Sequence, residues 1–340
     1  MAGKWIYWFH EIGSEQNDLV GKKCANLGEM QRMGLPVPQG FALSVEAYSI
    51  FLKRTGVIDE VRLYLKDFQA APASMATFAE AAEALRQIAE AREMPRDMEE
   101  AIGSYYDSLC ELCGVTDMAV STRSAGTKSS PGQYETYLNV KGKRDLIRNI
   151  IRVWSSTFNA RSLVSRVRSG LPLESSPIGV AILRMVNARS SGIAFTADPN
   201  TGDQSRIAIE ANWGLGESVV GGMVTPDSFS LDKKTLHVLR RSLGQKTVQV
   251  AHSENGVRTV ELPPDKRSAF CITDEEARRI AELGKTLEAH FSVPQDLEWA
   301  IAADLPFPEN VFLLQTRAEV IKRKNATYRI VLETLKEGLQ

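Results

Sequence analysis

The sequence predicts an α+β fold in two lobes, on three observations. Apolar residues in the first part of the chain recur mainly at helical spacing. Composition changes over Pro172–Pro177, where two prolines interrupt the pattern. Beyond that point short β-prone segments dominate, separated by Gly, Asp and Asn turns. The expected division is a first lobe over residues 1–175, a mainly β lobe over 176–322 and a helical tail over 323–340.

A chain of 340 residues has room for a large core and more than one subdomain. Its net charge of −1 gives no global basic field to recruit nucleic acid. The first residues, M-A-G-K-W-I-Y-W-F-H-E, show no signal-peptide pattern, and nowhere do about 18 apolar residues follow one another. A cytoplasmic location is expected, with no membrane and no nucleic acid as partner. Of the cysteines Cys24, Cys110, Cys113 and Cys271, the middle two have C-x-x-C spacing, but no second pair stands at zinc-ligand distance. They fall in a helical pattern with Leu109 and Leu112 as core candidates, so structural thiols are expected.

Taken in order, Trp5–Phe9 reads as a strand. Gly21-Lys22-Lys23 then opens a helix with Ala25, Leu27 and Met30 apolar. A lysine near a helix N-terminus adds charge where backbone donors already favour an anion, although a solvent-facing lysine has the same sequence. The G-x-x-x-x-G-K-[ST] spacing of a Walker A loop is missing. Gly34–Ala42 is extended and stiffened by proline, and a helix follows through Tyr48 and Leu52. Residues 74–92 form an amphipathic helix with Met75, Phe78, Ala82, Leu85 and Ile88 on one stripe and a capping box at Thr77/Glu80. Pro95 starts another helix.

Val120–Val140 reads V-S-T-R-S-A-G-T-K-S-S-P-G-Q-Y-E-T-Y-L-N-V: a strand, a loop of small residues and a second strand. Such a loop brings backbone N–H groups close to an anion, and Arg123 offers a planar, permanent charge to phosphate oxygens. A polar hairpin with solvated Arg123 and Lys128 is the alternative. Residues 145–168 are expected to be helical and carry Arg148, Arg152, Arg161, Arg166 and Arg168.

In the second lobe, Ile178–Val186, Ser191–Thr196 and Ile207–Ala211 read as strands, and Asp198–Gly202 as a turn. Glu254-Asn255-Gly256 is a hairpin turn, and Thr273-x-x-Glu276 caps a helix. In Gln295-Asp296-Leu297-Glu298-Trp299-Ala300, period two puts both carboxylates on one face. Converging carboxylates are costly unless solvated or shared by a cation, and Mg²⁺ takes such ligands while keeping water and phosphate oxygens. Gln315 and Arg317 share a face of Val311–Arg317 in the same way. A metal and nucleotide platform and a plain hairpin with one wet face both remain open on these residues alone.

Taken together, G-K-K-C-A-N-L-G-E-M, G-L-P-V-P-Q-G-F-A, V-S-T-R-S, P-G-Q-Y-E-T-Y-L-N-V, S-S-G-I-A-F-T, W-G-L-G-E-S-V-V-G-G, D-L-E-W-A and L-L-Q-T-R resemble the N-terminal nucleotide-binding domain of the phosphoenolpyruvate synthase and pyruvate phosphate dikinase family. The resemblance runs from about Val20 to Glu319. It implies an ATP-grasp-type fold with the nucleotide cleft between two lobes, and ATP with Mg²⁺ as ligands. It implies that Lys23 and Arg123 bind phosphate, that Gly132 and Thr136 belong to a glycine-rich lid, and that Arg317 meets the triphosphate end. Lys23, Arg123 and Arg317 thereby become the candidate catalytic residues. Glu298 and Gln315 match the Mg²⁺ contacts, with Asp296 beside them, and Glu210 and Arg161 are further candidates in the same cleft.

The sequence also departs from the family pattern. Lys22 replaces a glycine, Leu183 stands where many members place glutamine, and the lid lacks the acidic residues of the synthase branch. None of His10, His237, His252 and His290 sits in the T-x-H-A-type motif of the family's phosphate-carrying histidine. The pattern therefore resembles the split synthases that turn phenol into phenylphosphate. In these, ATP gives AMP and phosphate, and a separate, larger subunit carries the histidine and the small-molecule acceptor. An excised N-terminal domain of a phosphoenolpyruvate synthase or antibiotic phosphotransferase, and a non-catalytic nucleotide-binding regulatory subunit, are the alternatives.

Overall fold

The structure, a computed structural model, describes residues 4–66, 68, 75–128, 133–199, 201–254 and 256–319. Helix and sheet are mixed as expected, and the chain divides into two compact units. One comprises Met1–Met185 with His252–Arg258, the other Val186–Ala251 with Thr259–Gln340. The expected tail at 323–340 lies outside the described residues.

The first unit holds strands β1 (Ile6–Trp8), β2 (Gly40–Leu43), β3 (Val120–Ala125), β4 (Thr136–Val140) and β5 (Gly179–Arg184). They form one sheet in the order β1-β2-β5-β3-β4, each neighbouring pair antiparallel. The division after Met185, rather than after residue 175, follows from this order. β5 is apolar and buried on both faces, and it fills the place between β2 and β3.

Helices α1 (Asn17–Val20), α2 (Lys22–Arg32), α3 (Val45–Arg54), α4 (Val57–Lys66), α5 (Met75–Glu90), α6 (Arg96–Cys113), α7 (Lys143–Ser155) and α8 (Ala160–Arg168) complete this unit. Trp154 of α7 is buried against Phe51 and Tyr48 of α3, with ring centroids 5.1 and 6.2 Å away. Each such aromatic side chain removed from water contributes roughly 1.5–3 kcal/mol before the entropy of ordering is counted.

Several local expectations change. Phe78, Ala82 and Leu85 of α5 are buried, but Met75 is exposed, and Thr77 lies inside the helix rather than at its cap. On α6, Leu109 is buried, whereas Leu112 faces solvent on the last turn before Gly114. The helix expected over 145–168 is interrupted by a 3₁₀ turn at Ser156–Phe158. There Ser155, Ser156 and Thr157 donate their hydroxyls back to the carbonyls of Arg152, Val153 and Trp154. Asn159 then caps α8, its Oδ1 accepting from Ser162 N at 2.8 Å. Side chains that bond the local backbone offer it an alternative to the continuous helix.

The second unit contains β6 (Ala188–Phe195), β7 (Arg206–Trp213), α9 (Glu217–Val220), β8 (Asp227–Asp232), β9 (Val238–Ser242), β10 (Val248–His252), β11 (Val257–Glu261), α10 (Pro264–Arg267), α11 (Asp274–Phe291), β12 (Gln295–Ala302) and β13 (Val311–Ala318). The end of β10 and the start of β11, within His252–Arg258, are counted with the first unit. The main sheet runs β13-β12-β6-β7-β8-β9, with neighbours antiparallel throughout. α11 starts at the expected capping box, Thr273 with Glu276, and packs against the sheet face that carries the fully buried Leu297 and Trp299. Gly192 permits a close approach of β6 to β7, since a Cβ there would lie 1.8 Å from Glu210 O. No helix among the described residues is long and apolar enough to cross a membrane.

Candidate functional site

In the first unit the N-terminus of α2 is fastened to the end of β3. Gly21, at φ 81°, has no room for a side chain, because a Cβ would lie 1.9 Å from the carbonyl oxygen of Ala125. Lys22 N donates to Gly126 O at 2.9 Å, and Asn17 Nδ2 donates to Thr127 O at 3.2 Å. These bonds set the first turn of α2, with the half-buried Lys23, beside the small-residue loop.

Arg123 lies within β3, which runs on to Ala125. It stands opposite Thr136 of β4 and Ala181 of β5. Both cations bear on one buried group. Burial pushes the Cys24 thiol up to about 12, and the charges of Lys23 and Arg123 counteract the rise. Lys23 on the first turn of α2 and Arg123 on β3 thus both act electrostatically on Cys24, and Thr136 is exposed at the start of β4. Gly132 lies outside the described residues, and Arg161 is on the exposed side of α8.

In the second unit, register places the remaining candidates on one sheet face in two rows. Gln315 of β13 is opposite Glu298 of β12, Glu298 is opposite Ile193 of β6, and Ile193 is opposite Glu210 of β7. One step along the face, Arg317 is opposite Asp296. Gln315 Nε2 donates to Glu298 Oε1 at 2.9 Å. Arg317 donates to Asp296 Oδ2 through both Nε, at 2.6 Å, and Nη2, at 2.5 Å. Asp296, expected among the metal contacts, and Arg317, expected at the triphosphate end, are therefore partners of each other. Beyond Glu298 the register shifts by a bulge, and Val186, Ala300 and Ala302 form an apolar cluster with Phe312 and Leu314 against it.

Burial raises the Glu210 carboxyl above its ordinary range. It also raises Asp296, outweighing the pull of Arg317. Glu319, just past β13, is pushed up to about 7, mainly by burial and further by the charge of Asp296. Sequence reasoning did not single out Glu319, Asn17 or the loop anchors described below. Glu319 follows a strand end where no periodicity applies, and Asn17 acts at a sequence distance of 110 residues.

Among the described residues no three or more His, Cys, Asp or Glu side chains gather as a metal cage. All four cysteines are free thiols, with Cys24 and Cys271 buried. The hard oxygens on the Glu298 row suit Mg²⁺, which is commonly held by one or two carboxylates with water and phosphate oxygens completing its shell. Glu298 and Gln315 would hold it, with Glu210 along the row.

The family described as the pyruvate phosphate dikinase AMP/ATP-binding domain matches residues 17–337. The chain is 36% identical to a probable phosphoenolpyruvate synthase of Staphylothermus marinus, over 94% of this chain and 41% of that protein. It is 34% identical to a probable phosphoenolpyruvate synthase of Methanocaldococcus jannaschii, over 87% of this chain and 25% of the relative. It is also 34% identical to the phosphoenolpyruvate synthase of Aeropyrum pernix, over 94% and 43%. The chain thus spans less than half the length of these relatives. Among solved structures, an L-amino acid ligase from Bacillus licheniformis matches with a TM-score of 0.27 and 12% identity, over 83% of this chain and 59% of that one. That likeness is too slight to assign the fold.

Proposed function

The chain belongs to the pyruvate phosphate dikinase AMP/ATP-binding domain family, and from that membership we propose that it binds Mg-ATP and directs the β-phosphoryl group to a histidine outside this sequence, with AMP as the leaving group and water taking the γ-phosphoryl group to inorganic phosphate. The observation that carries this reading is the register-fixed row of Gln315, Glu298 and Glu210, one step from the Arg317–Asp296 pair. Lys23 and Arg123 supply positive charge to phosphate oxygens, with Thr136 at the start of β4 opposite Arg123. Mg²⁺, when bound, offsets phosphate charge that a neutral amide cannot. The protein's own part is positioning and fixed charge, and the nucleophilic imidazole comes from elsewhere. This is an ATP-grasp-type role.

The finer reading is a split enzyme whose histidine lies on a separate subunit and whose final acceptor is phenol, giving phenylphosphate. Its support is the resemblance of the sequence motifs to the split synthases. A second reading is the nucleotide-binding domain of a phosphoenolpyruvate synthase, favoured by the names of the relatives. The deciding experiment incubates the chain with Mg²⁺ and ATP labelled in the β-phosphate, together with a histidine-bearing subunit or domain of this family. Label on the histidine with AMP release is the expected result. Onward transfer to phenol supports the split enzyme, and transfer to pyruvate supports the synthase reading. No binding of ATP would overturn both.

A further inference from the structure

The small-residue loop between β3 and β4 is held at each end by different elements. Its first end is tied to α1 and α2 through Lys22 N and Asn17 Nδ2. Its far end is tied to the helices that follow and to α5. Gln133 O accepts from Asn159 Nδ2 at 2.6 Å, the Tyr134 hydroxyl shares a hydrogen bond with Ser176 Oγ at 2.9 Å, and Glu135 N donates to Ser156 Oγ at 3.2 Å.

The Glu135 carboxylate is the centre of this second anchor. Arg86 of α5 donates to its two oxygens through Nη1 at 2.5 Å and Nη2 at 3.2 Å, and the Tyr137 hydroxyl donates to Oε2. Arg86 is itself oriented by Glu90, whose Oε1 also accepts from Ser155 Oγ at 2.6 Å. The Arg152 guanidinium lies 4.4 Å from the Tyr137 ring centre. Arg86 and Glu90 border an open cleft of about 700 Å³, so water reaches the pair from one side.

Two facts separate this arrangement from ordinary packing. The side chains of Arg86 and Glu135 are 26% and 34% exposed, and such ion pairs add little to global stability. Yet a forked, two-oxygen pair fixes direction as well as distance. Glu135 also immediately precedes Thr136, the backbone partner of Arg123. We propose that Arg86 and Glu135 are positioning residues for phosphate binding: their ion pair fixes the far anchor of the loop and thereby sets Thr136 against Arg123. The inference rests on the nucleotide reading above.

The test measures Mg-ATP dissociation constants by calorimetry for wild type, Arg86→Ala, Glu135→Ala and the double variant, with melting temperatures and amide exchange over residues 133–136. Each single variant is expected to weaken Mg-ATP binding about tenfold, and the double variant no more than either. Melting is expected to move little, while exchange at the loop anchor accelerates. The sign for Glu135→Ala is diagnostic. Removing a negative charge tightens an anionic ligand by electrostatics alone, whereas loss of positioning weakens it. Arg86→Lys keeps the charge without the fork and is expected to recover only part of the affinity. If the alanine variants do not fold, Arg86→Lys and Glu135→Gln carry the test, each with about threefold weaker binding expected. Arg54→Ala, which removes an exposed pair with Asp97, serves as control and leaves binding unchanged. Wild-type affinity in the Arg86 and Glu135 variants, or effects that add in the double variant, would overturn the inference alone. A wild-type chain that binds no Mg-ATP would overturn the nucleotide reading, and this inference with it.

Discussion

Arg317 and Asp296 face each other across β13 and β12, and two guanidinium nitrogens converge on the single oxygen Oδ2 at 2.6 and 2.5 Å. Asp296 is nearly buried, while a third of the Arg317 side chain remains exposed. The carboxylate therefore orients a cation that still reaches solvent, on the same face as Glu298 and Gln315. A double-mutant cycle of Asp296→Ala and Arg317→Ala is expected to show about 1–2 kcal/mol of coupling in denaturant unfolding. Asp296→Ala should also weaken Mg-ATP binding by releasing Arg317. Unchanged affinity in that variant would detach the pair from the site.

Glu298→Ala and Arg123→Ala remove one group from each of the two candidate sets. Both side chains are only half buried, so the folded state is expected to persist. Loss of a preorganised charge at a phosphoryl-transfer site costs about 100- to 1000-fold in rate. Transfer of label from β-labelled ATP to the acceptor histidine measures it, and full activity in either variant would sink that residue's assignment.

Stability of the second unit depends on a buried ion pair that is not among the candidate site residues. Lys246 Nζ donates to Asp227 Oδ1, and both side chains are wholly buried. The same carboxylate accepts from Gly244 N and Cys271 N, each at 2.9 Å. Removing one partner strands the other charge, so Lys246→Met is expected to lower the unfolding free energy by about 3–5 kcal/mol. Denaturant midpoints check this, and the added Asp227→Asn change should recover part of the loss.

The half-buried carboxyl of Glu319 gives a pH dependence with a definite sign. Its pKa rises from an ordinary 4.5 to about 7 on folding, through burial first and the charge of Asp296 next. Between those values the folded chain holds a proton that the unfolded chain has lost. This group's contribution is therefore full below about pH 4.5 and is lost as pH rises through about 7. Glu319→Gln should remove that downward component, so the difference between wild-type and variant melting temperatures varies with pH over this window. Parallel profiles would refute it.

How much the sequence disclosed depended on the range of the interaction. Period two in Gln295–Ala300 placed Asp296 and Glu298 on one face, and the strand does so because Leu297 and Trp299 need the opposite, buried face. Gly21 before two lysines marked a helix start, since that backbone turn tolerates no Cβ. The bulge after Glu298 left no trace in the pattern, because register belongs to two strands at once. The Arg86–Glu135 pair joins residues 49 positions apart, each of which reads as an ordinary surface charge. Thr77 mimicked a capping box three residues inside α5, where the S/T-x-x-E pattern also occurs by chance.

The strand order of the first sheet has a consequence for synthesis. β5 is the middle strand, yet it is the last of the five to be made. Until residues 179–184 emerge from the ribosome, β2 and β3 each present an open edge toward the gap. Unpaired edges of this kind recruit other chains. Nascent chains stalled before residue 179, or fragments that end there, should therefore associate rather than fold, whereas chains that include residue 184 can close the sheet.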